Sequence, residues 1–420
     1  MIRFMKSKMA KKPELLAPAQ DWNSLKVVSG LADAIYFGVQ NYNMRAKANN
    51  FKQAELEDVA EYCHAQEPRI KTYLCTNILI YDPEINELEN LIARAKDAKI
   101  DAIIAHDLAT IQIARRHDMA FHVSTQANIS NIEAARFYEE MGAERIILAR
   151  ELSLKQIARI KKQLERAQIE CFVHGSMCTA ISGRCYFSAS IHESEEHSAN
   201  RGNCAQPCRR RWVVVDDQNN EFIYDGQLFL NAKDLCMIEY IPELIEAKID
   251  ALKIEGRMKD PLYVKTVTKC YREAIDDYFN GTYTKDKVID WIKRLSLVYN
   301  RGFHTGFYFK KPTINDIQLE SRGNLSPYKK TYFGKILSHD EKSKSANVLI
   351  ESKERFLRLG DEIIIIGKNT YQIETVKKIV FKGEKIEKIK RDRNSKSIEF
   401  NLPLLNRVET EDKIYLITKE

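Results

Sequence analysis

The chain is 420 residues long, 44% hydrophobic and 30% charged, with a formal net charge of +7. That balance belongs to a folded globular protein and excludes long disordered tracts, while the length points to a large core plus an appended domain. The mild positive excess permits an anionic partner without requiring one; with Lys and Glu both abundant, most of the charge reads as solvated surface.

Residues 1–12 are basic and read as an N-terminal extension, with Met5 or Met9 as an alternative start. No apolar run long enough for a signal peptide follows, because residues 15–19 lead straight into Gln20-Asp21-Trp22. No segment reaches the length of a membrane-spanning helix, so a cytoplasmic protein with no membrane partner is expected.

From Pro13 onward, short apolar runs alternate with amphipathic stretches. The runs lie at 15–17, 34–37, 71–74, 102–105, 121–123, 145–148, 171–173 and 251–254. Helical periodicity fills the gaps, as at Leu88, Leu91, Ile92 and Ala95. This alternation predicts an α/β fold with a parallel sheet, and about eight strands is the number that closes a TIM-like (β/α) barrel, expected over residues 13–320. A doubly wound open sheet is the alternative, but no GxGxxG follows any strand. A Cys-rich insertion at about 178–230 interrupts the connection between the seventh and eighth runs. It leaves the C-terminal end of a strand, where barrel enzymes place their chemistry, which makes it the candidate active-site segment. After a linker at 321–330, short strands at 335–337, 346–350, 362–366 and 413–417 predict a small C-terminal antiparallel β-barrel domain over 331–420.

Of nine cysteines, Cys63, Cys75, Cys171 and Cys270 are scattered through periodic segments. Cys178, Cys185, Cys204, Cys208 and Cys236 fall within or beside the insertion. In a reducing cytoplasm such a group reads as a metal or cluster site sooner than as disulfides. Cys204 and Cys208 form a CxxxC followed by Arg209-Arg210-Arg211-Trp212. Thiolates among small residues can wrap an iron–sulfur cluster, with arginines offsetting its negative charge. Structural zinc is the alternative, although zinc modules favour paired CxxC knuckles, and inert buried cysteines are the third reading.

Peptidase motifs are weak. His192-Glu193 and His197 are ordered like a zinc-protease helix, but a spacing of five puts the histidines on different helix faces. No GxSxG occurs, and a Cys178 nucleophile with His174 as base rests on two residues alone.

A set of longer motifs runs along the chain. They are Leu16-Ala17-Pro18-Ala19, Met44-Arg45-Ala46, Ser124-Thr125-Gln126, residues 170–185 around His174-Gly175-Ser176-Met177-Cys178, Asn231-Ala232-Lys233-Asp234-Leu235-Cys236, Lys253-Ile254-Glu255-Gly256-Arg257 and Asn300-Arg301-Gly302-Phe303. Together they resemble the collagenase-like peptidases, peptidase family thirty-two, over nearly the whole chain from Pro13. The resemblance implies either a metal-dependent protease or an oxygen-independent hydroxylation factor. Factors of the second kind act on a tRNA wobble uridine, an rRNA cytidine or a quinone precursor. They hold a [4Fe–4S] cluster on four cysteines, with prephenate as the hydroxyl source in some. Carried over, Cys178, Cys185 and Cys236 match best, with Cys204 or Cys208 as the fourth ligand. A family glycine after Leu-Ala-Pro-Ala is Gln20 here.

Strand ends supply the remaining candidates: Tyr36, Asn77, Ser124, Gln126, Arg150, His174, Glu255 and Arg257. Arg150 and Arg257 suit bidentate binding of a carboxylate or phosphate. Glu255, Arg257 and His174 are the catalytic candidates, Glu255 as a general base if partly desolvated; a structural Glu255–Arg257 ion pair is the plain alternative. Arg209 and Arg211, with Trp212, suit phosphate contact and base stacking. The expected function is iron–sulfur-dependent hydroxylation of an RNA base, with tRNA or a small molecule as substrate and a protein partner conceivable. A peptidase and an RNA-binding accessory protein are the alternatives.

Overall fold

Each of the eight apolar runs becomes a parallel strand in the computed structural model, which describes residues 11–181, 184–222, 228, 230–321, 323–353, 355–367, 370–391 and 398–419. Met5, Met9, Ser182 and Gly183 lie outside the described residues. The strands are β1 (Glu14–Pro18), β2 (Ala34–Phe37), β3 (Lys71–Thr76), β4 (Ala102–Ala105), β5 (Phe121–Val123), β6 (Arg145–Ile147), β7 (Gln168–Ser176) and β8 (Ala251–Ile254). They pair in chain order from β1 to β7, and β8 closes the ring by pairing with both β7 and β1. The expected (β/α) barrel is therefore present.

Helices cover the ring for legible reasons. Ile85–Asp97 buries Leu88, Leu91, Ile92 and Ala95, one face at helical spacing, and carries Arg94 and Lys96 in its last turn to meet the dipole. The long helix Pro261–Asn280 starts with Asp260 accepting from the Tyr263 N–H at 2.9 Å and with proline in its first turn, and it stops at Gly281. It delivers Tyr263 and Tyr271 to the outside of β7 and β8, where the Tyr271 hydroxyl donates to Val173 O at 2.7 Å.

Two features modify the barrel near its mouth. A short strand, Asp234–Cys236, pairs antiparallel with the far end of β7, and Phe303–His304 pairs parallel with it. In the β7–β8 ladder, Lys253 faces Phe172 and Ile254 faces His174, so Val173 is an extra residue. Such a bulge reverses the inside–outside alternation beyond it.

Beneath the mouth the interior is charged. Arg145 Nη1 lies 2.6 Å from Glu14 and 3.1 Å from Glu170, and Lys253 Nζ lies 2.8 Å from the other Glu170 oxygen. Opposite signs alternate, so no buried charge in this set stands alone; removing one member would cost about 3–5 kcal/mol.

The chain divides into two compact units, Met1–Leu325 and Ser326–Glu420. The second is an antiparallel eight-stranded sheet in the order Tyr371–Thr375, Glu362–Ile366, Lys413–Lys419, Tyr328–Asp340, Ser345–Ile350, Ile398–Pro403, Ile379–Phe381 and Glu384–Ile386. Its two end strands do not pair with each other among the described residues. Alternation drives it: in Ser345–Ile350 the inward residues Ala346, Val348 and Ile350 are fully buried. The strand Tyr328–Asp340 begins inside the stretch read as a linker, because Tyr328 to Thr331 already pair with Lys419 to Leu416. Among the described residues no helix is long and apolar enough to cross a membrane.

Candidate functional site at the barrel mouth

The strands' C-terminal ends surround a small cavity that is partly open to solvent. Tyr36, Asn77, Ser124, Gln126, Arg150, Glu255 and Arg257, all drawn from strand ends in the sequence, line this one cavity. Arg45, Lys253, Cys75, Thr125 and Phe172 line it too and were missed. Lys253 was readable: it lies on β8 two residues before Glu255 and four before Arg257, in step with both strand-end candidates. Arg45 comes from the loop after β2, where no periodicity points inward.

Charge is the cavity's dominant property. Lys253 is matched by Glu170 below. That leaves Arg45, Arg150 and Arg257 facing one carboxylate, Glu255. Glu255 is 6% exposed, and burial alone would raise its pKa, but Arg45, Arg150 and Lys259 together hold it below the usual carboxylate range. It is therefore an ionised anchor and a weaker base than sequence reasoning expected. Arg45 Nη2 lies 2.9 Å from its Oε1. Arg257 donates instead to Asn43 Oδ1 at 2.8 Å and to Asn50 Oδ1, so the alternative of a Glu255–Arg257 ion pair gives way to Arg45–Glu255. Arg150 donates to Ser176 O at 3.0 Å and lies 4.0 Å over the Phe172 ring. The Nε atoms of Arg150 and Arg257 are buried with no acceptor among the described residues. Asn77, Ser124 and Gln126 are bonded to one another along the rim, while the Tyr36 hydroxyl is spent on Ile254 O at 2.8 Å.

His174 is not in this cavity. The bulge at Val173 turns it outward, where its ring packs 5.5 Å from Tyr271 and 5.8 Å from Phe303. Burial pushes its pKa down to about 3. A buried, neutral imidazole aimed away from the mouth is a packing residue, which corrects its place among the catalytic candidates. Gly175, next along, has φ +106°, and a Cβ there would stand 2.6 Å from Glu255 O. Only glycine lets β7 pass that close to β8.

Among its described residues the insertion has a helix at Phe187–His192 and a hairpin pairing Val214–Val215 with Glu221–Phe222. Three of its thiols, on Cys178, Cys185 and Cys204, lie within electrostatic reach of a fourth, on Cys208. Burial pushes the Cys208 thiol up, Arg209 opposes this, and Cys178, Cys204 and Cys185 each push it further up. The Phe187 N–H donates to Cys185 Sγ at 3.4 Å and the Gln206 N–H to Cys204 Sγ at 3.3 Å. Cys178 also acts electrostatically on Arg45 and Arg150, which sets this one thiol near the cavity. Cys236 is 8% exposed on the strand beside β7, next to Tyr271, and burial pushes its thiol to about 11.

The loop is fastened to the mouth at several points. Arg184 donates to Gln126 O at 3.1 Å. Gly202, at φ +83°, leaves no room for a side chain, since a Cβ would stand 2.2 Å from Asn43 O. Arg209 is 8% exposed and donates to Asn231 Oδ1 at 2.8 Å, Ala232 O at 2.6 Å and Met177 O at 2.5 Å. It pins the cysteine loop from within and is unavailable to RNA phosphates, contrary to its expected substrate-binding role. Arg211 is exposed, and the Trp212 indole N–H is spent on Pro207 O at 2.9 Å.

Backbone N–H groups aimed at sulfur and a cationic surround suit thiolates, and four thiols suit a four-iron cluster. Among the described residues no three His, Cys, Asp or Glu side chains are set to hold a single metal ion; in a cluster each thiolate binds its own iron, so the sulfurs stand farther apart. The His192–His197 pair is no protease helix. The helix stops at His192, Glu193 takes φ +48°, and the two rings stack 4.2 Å apart.

A closed (β/α) barrel with an arginine-rich mouth, overhung by a four-thiol loop, defines the class of protein. The chain belongs to peptidase family U32, whose sequence profile matches residues 20–318. It is 39% identical to an uncharacterized protease of Methanocaldococcus jannaschii, over 96% of this chain and 98% of that one. It is 38% identical to a collagenase of Porphyromonas gingivalis, over 97% and 98% respectively. It is 34% identical to tRNA hydroxylation protein P1 of Bacillus subtilis, over 88% and 87%.

Proposed function

We propose that this protein is an iron–sulfur enzyme, or enzyme component, for oxygen-independent hydroxylation of an RNA base. The observation that carries the reading is that Cys178, Cys185 and Cys204 lie within electrostatic reach of Cys208, and Cys178 also of Arg45 and Arg150 in a cavity where three arginines face one carboxylate. Cys178, Cys185, Cys204 and Cys208 would hold the cluster, which supplies electron-transfer chemistry at the mouth when bound. Replacing a base C–H by C–OH withdraws an electron pair from the base. The co-substrate must therefore give up a hydroxyl and accept that pair. Prephenate, a dicarboxylate, suits a site with excess positive charge, where the guanidinium groups of Arg150 and Arg257 would pair with its carboxylates. Arg45 and Glu255 fix the cavity's wall, and Lys253 closes its floor. The named similarity to a tRNA hydroxylation protein supports tRNA as the substrate class.

The peptidase reading draws support from the names of two relatives. Among the described residues, however, His174 and the His192–His197 pair offer no activated nucleophile or shared ion. The test is mass spectrometry of tRNA nucleosides from a host lacking its own hydroxylation activity. A base one oxygen heavier should appear with the wild-type chain and vanish with Cys185→Ser; its absence with cluster-loaded wild type would remove the reading.

A further inference from the structure

The second unit carries a two-stranded ribbon outside its large sheet, Phe356–Arg358 paired antiparallel with Lys388–Lys390. Leu357 lies opposite Ile389, and both enter that unit's core at 0% and 6% exposure. The period of two then turns Phe356, Arg358, Lys388 and Lys390 onto the outer face, and all four are exposed. Arg358 stands directly opposite Lys388, and Phe356 opposite Lys390. Lys390 Nζ is 4.9 Å and Arg358 Cζ 5.6 Å from the Phe356 ring centre. Among the described residues no carboxylate pairs with any of the three cations.

Folding does not call for such a face. Like charges directly opposite each other on a ribbon repel, and Phe356, left 36% exposed, forgoes part of its burial. The inner pair Leu357 and Ile389 already anchors the ribbon. Lysines on an exposed strand do guard against edge-to-edge pairing, but that role needs neither a surface phenylalanine nor an arginine opposite a lysine.

We propose that this ribbon is a contact surface for single-stranded RNA. An unpaired base stacks on Phe356 while Arg358, Lys388 and Lys390 engage the flanking phosphates. The anionic backbone supplies the counter-charge the three cations lack, and an aromatic ring among cations is how sequence-tolerant single-strand surfaces are built. Duplex RNA offers no free base to Phe356. The inference rests on the RNA reading above and adds a second contact to it.

The test measures binding of the full chain, purified without oxygen, to an unstructured RNA oligonucleotide and to an RNA duplex at several salt concentrations. The variant Arg358→Gln/Lys388→Gln/Lys390→Gln should bind the single strand at least tenfold more weakly, with its log–log salt slope reduced by about 2. Phe356→Leu should weaken single-strand binding about tenfold, leaving the salt slope and duplex binding unchanged. Lys265→Gln/Lys269→Gln/Lys293→Gln, a charge-matched change on exposed barrel helices, should bind like wild type. Ribbon variants with wild-type affinity and slope, or an equal loss in the charge-matched control, would overturn the ribbon assignment alone. So would intact RNA binding with loss of binding to phosphatidylserine-containing vesicles, which would mark the face as a lipid contact. Wild-type protein that binds no RNA would overturn the RNA reading and the ribbon together.

Discussion

Arg45 reaches 2.9 Å from Glu255, the one carboxylate among the residues lining the mouth cavity, while Arg150 and Arg257 keep buried Nε–H groups without acceptors. The cavity is thus a cation-rich bowl whose single acid is already engaged. Replacing that acid with Glu255→Gln keeps the shape and an acceptor for Arg45. It removes a negative charge worth about 1–3 kcal/mol to an anion several ångströms away. A dicarboxylate such as prephenate should then bind roughly tenfold or more tightly by calorimetric titration. Unchanged or weaker binding would show that anions do not enter here.

Arg209 is predicted to matter for the loop and Arg211 not to. Arg209→Gln loses charge-assisted bonds to Asn231, Ala232 and Met177. It should cost about 2–4 kcal/mol and open the cysteine segment to limited proteolysis. Arg211→Ala, at an exposed site, should stay within about 0.5 kcal/mol of wild type.

Gly202→Ala is predicted to loosen the same loop from the barrel side. The added Cβ meets Asn43 O, and the φ of +83° is costly for any side chain. A loss of about 2 kcal/mol or more is expected, read by chemical denaturation.

Acid should destabilise the first unit in a window set by its buried imidazoles. His174 is depressed from 6.5 to about 3, and His122, buried beside Arg145, Lys253 and Lys71, is held well below 6.5. Both stay neutral in the fold and take protons on unfolding below about pH 6.5, so the unfolded state binds more protons. Their contribution is full above 6.5 and is lost as pH falls towards about 3. Denaturation midpoints measured at pH 7 and pH 5 should show the drop, and His174→Gln should flatten it. A midpoint that rises on acidification would contradict the assignment.

Much of the barrel was legible because parallel strands buried on both faces announce themselves as apolar runs: all eight runs became strands. The same strand ends correctly gathered seven residues into one cavity. What failed was local parity and partner choice. A one-residue bulge at Val173 sent His174 outward, and nothing in Phe172-Val173-His174 marks that bulge. Arg209 looked like one of three surface cations, yet a buried ring of acceptors from residues 177, 231 and 232 claims it, a long-range fact no spacing encodes. Arg45 was missed because loop residues carry no period to say which way they face.

The central claim, a cluster on Cys178, Cys185, Cys204 and Cys208, is tested most directly by iron and acid-labile sulfide content per chain in protein purified without oxygen. The account predicts about four of each in wild type. It predicts the same content in Cys236→Ser and a loss of cluster in Cys185→Ser and Cys208→Ser. Stoichiometric zinc without sulfide, or a cluster that survives Cys208→Ser and is lost in Cys236→Ser, would contradict it.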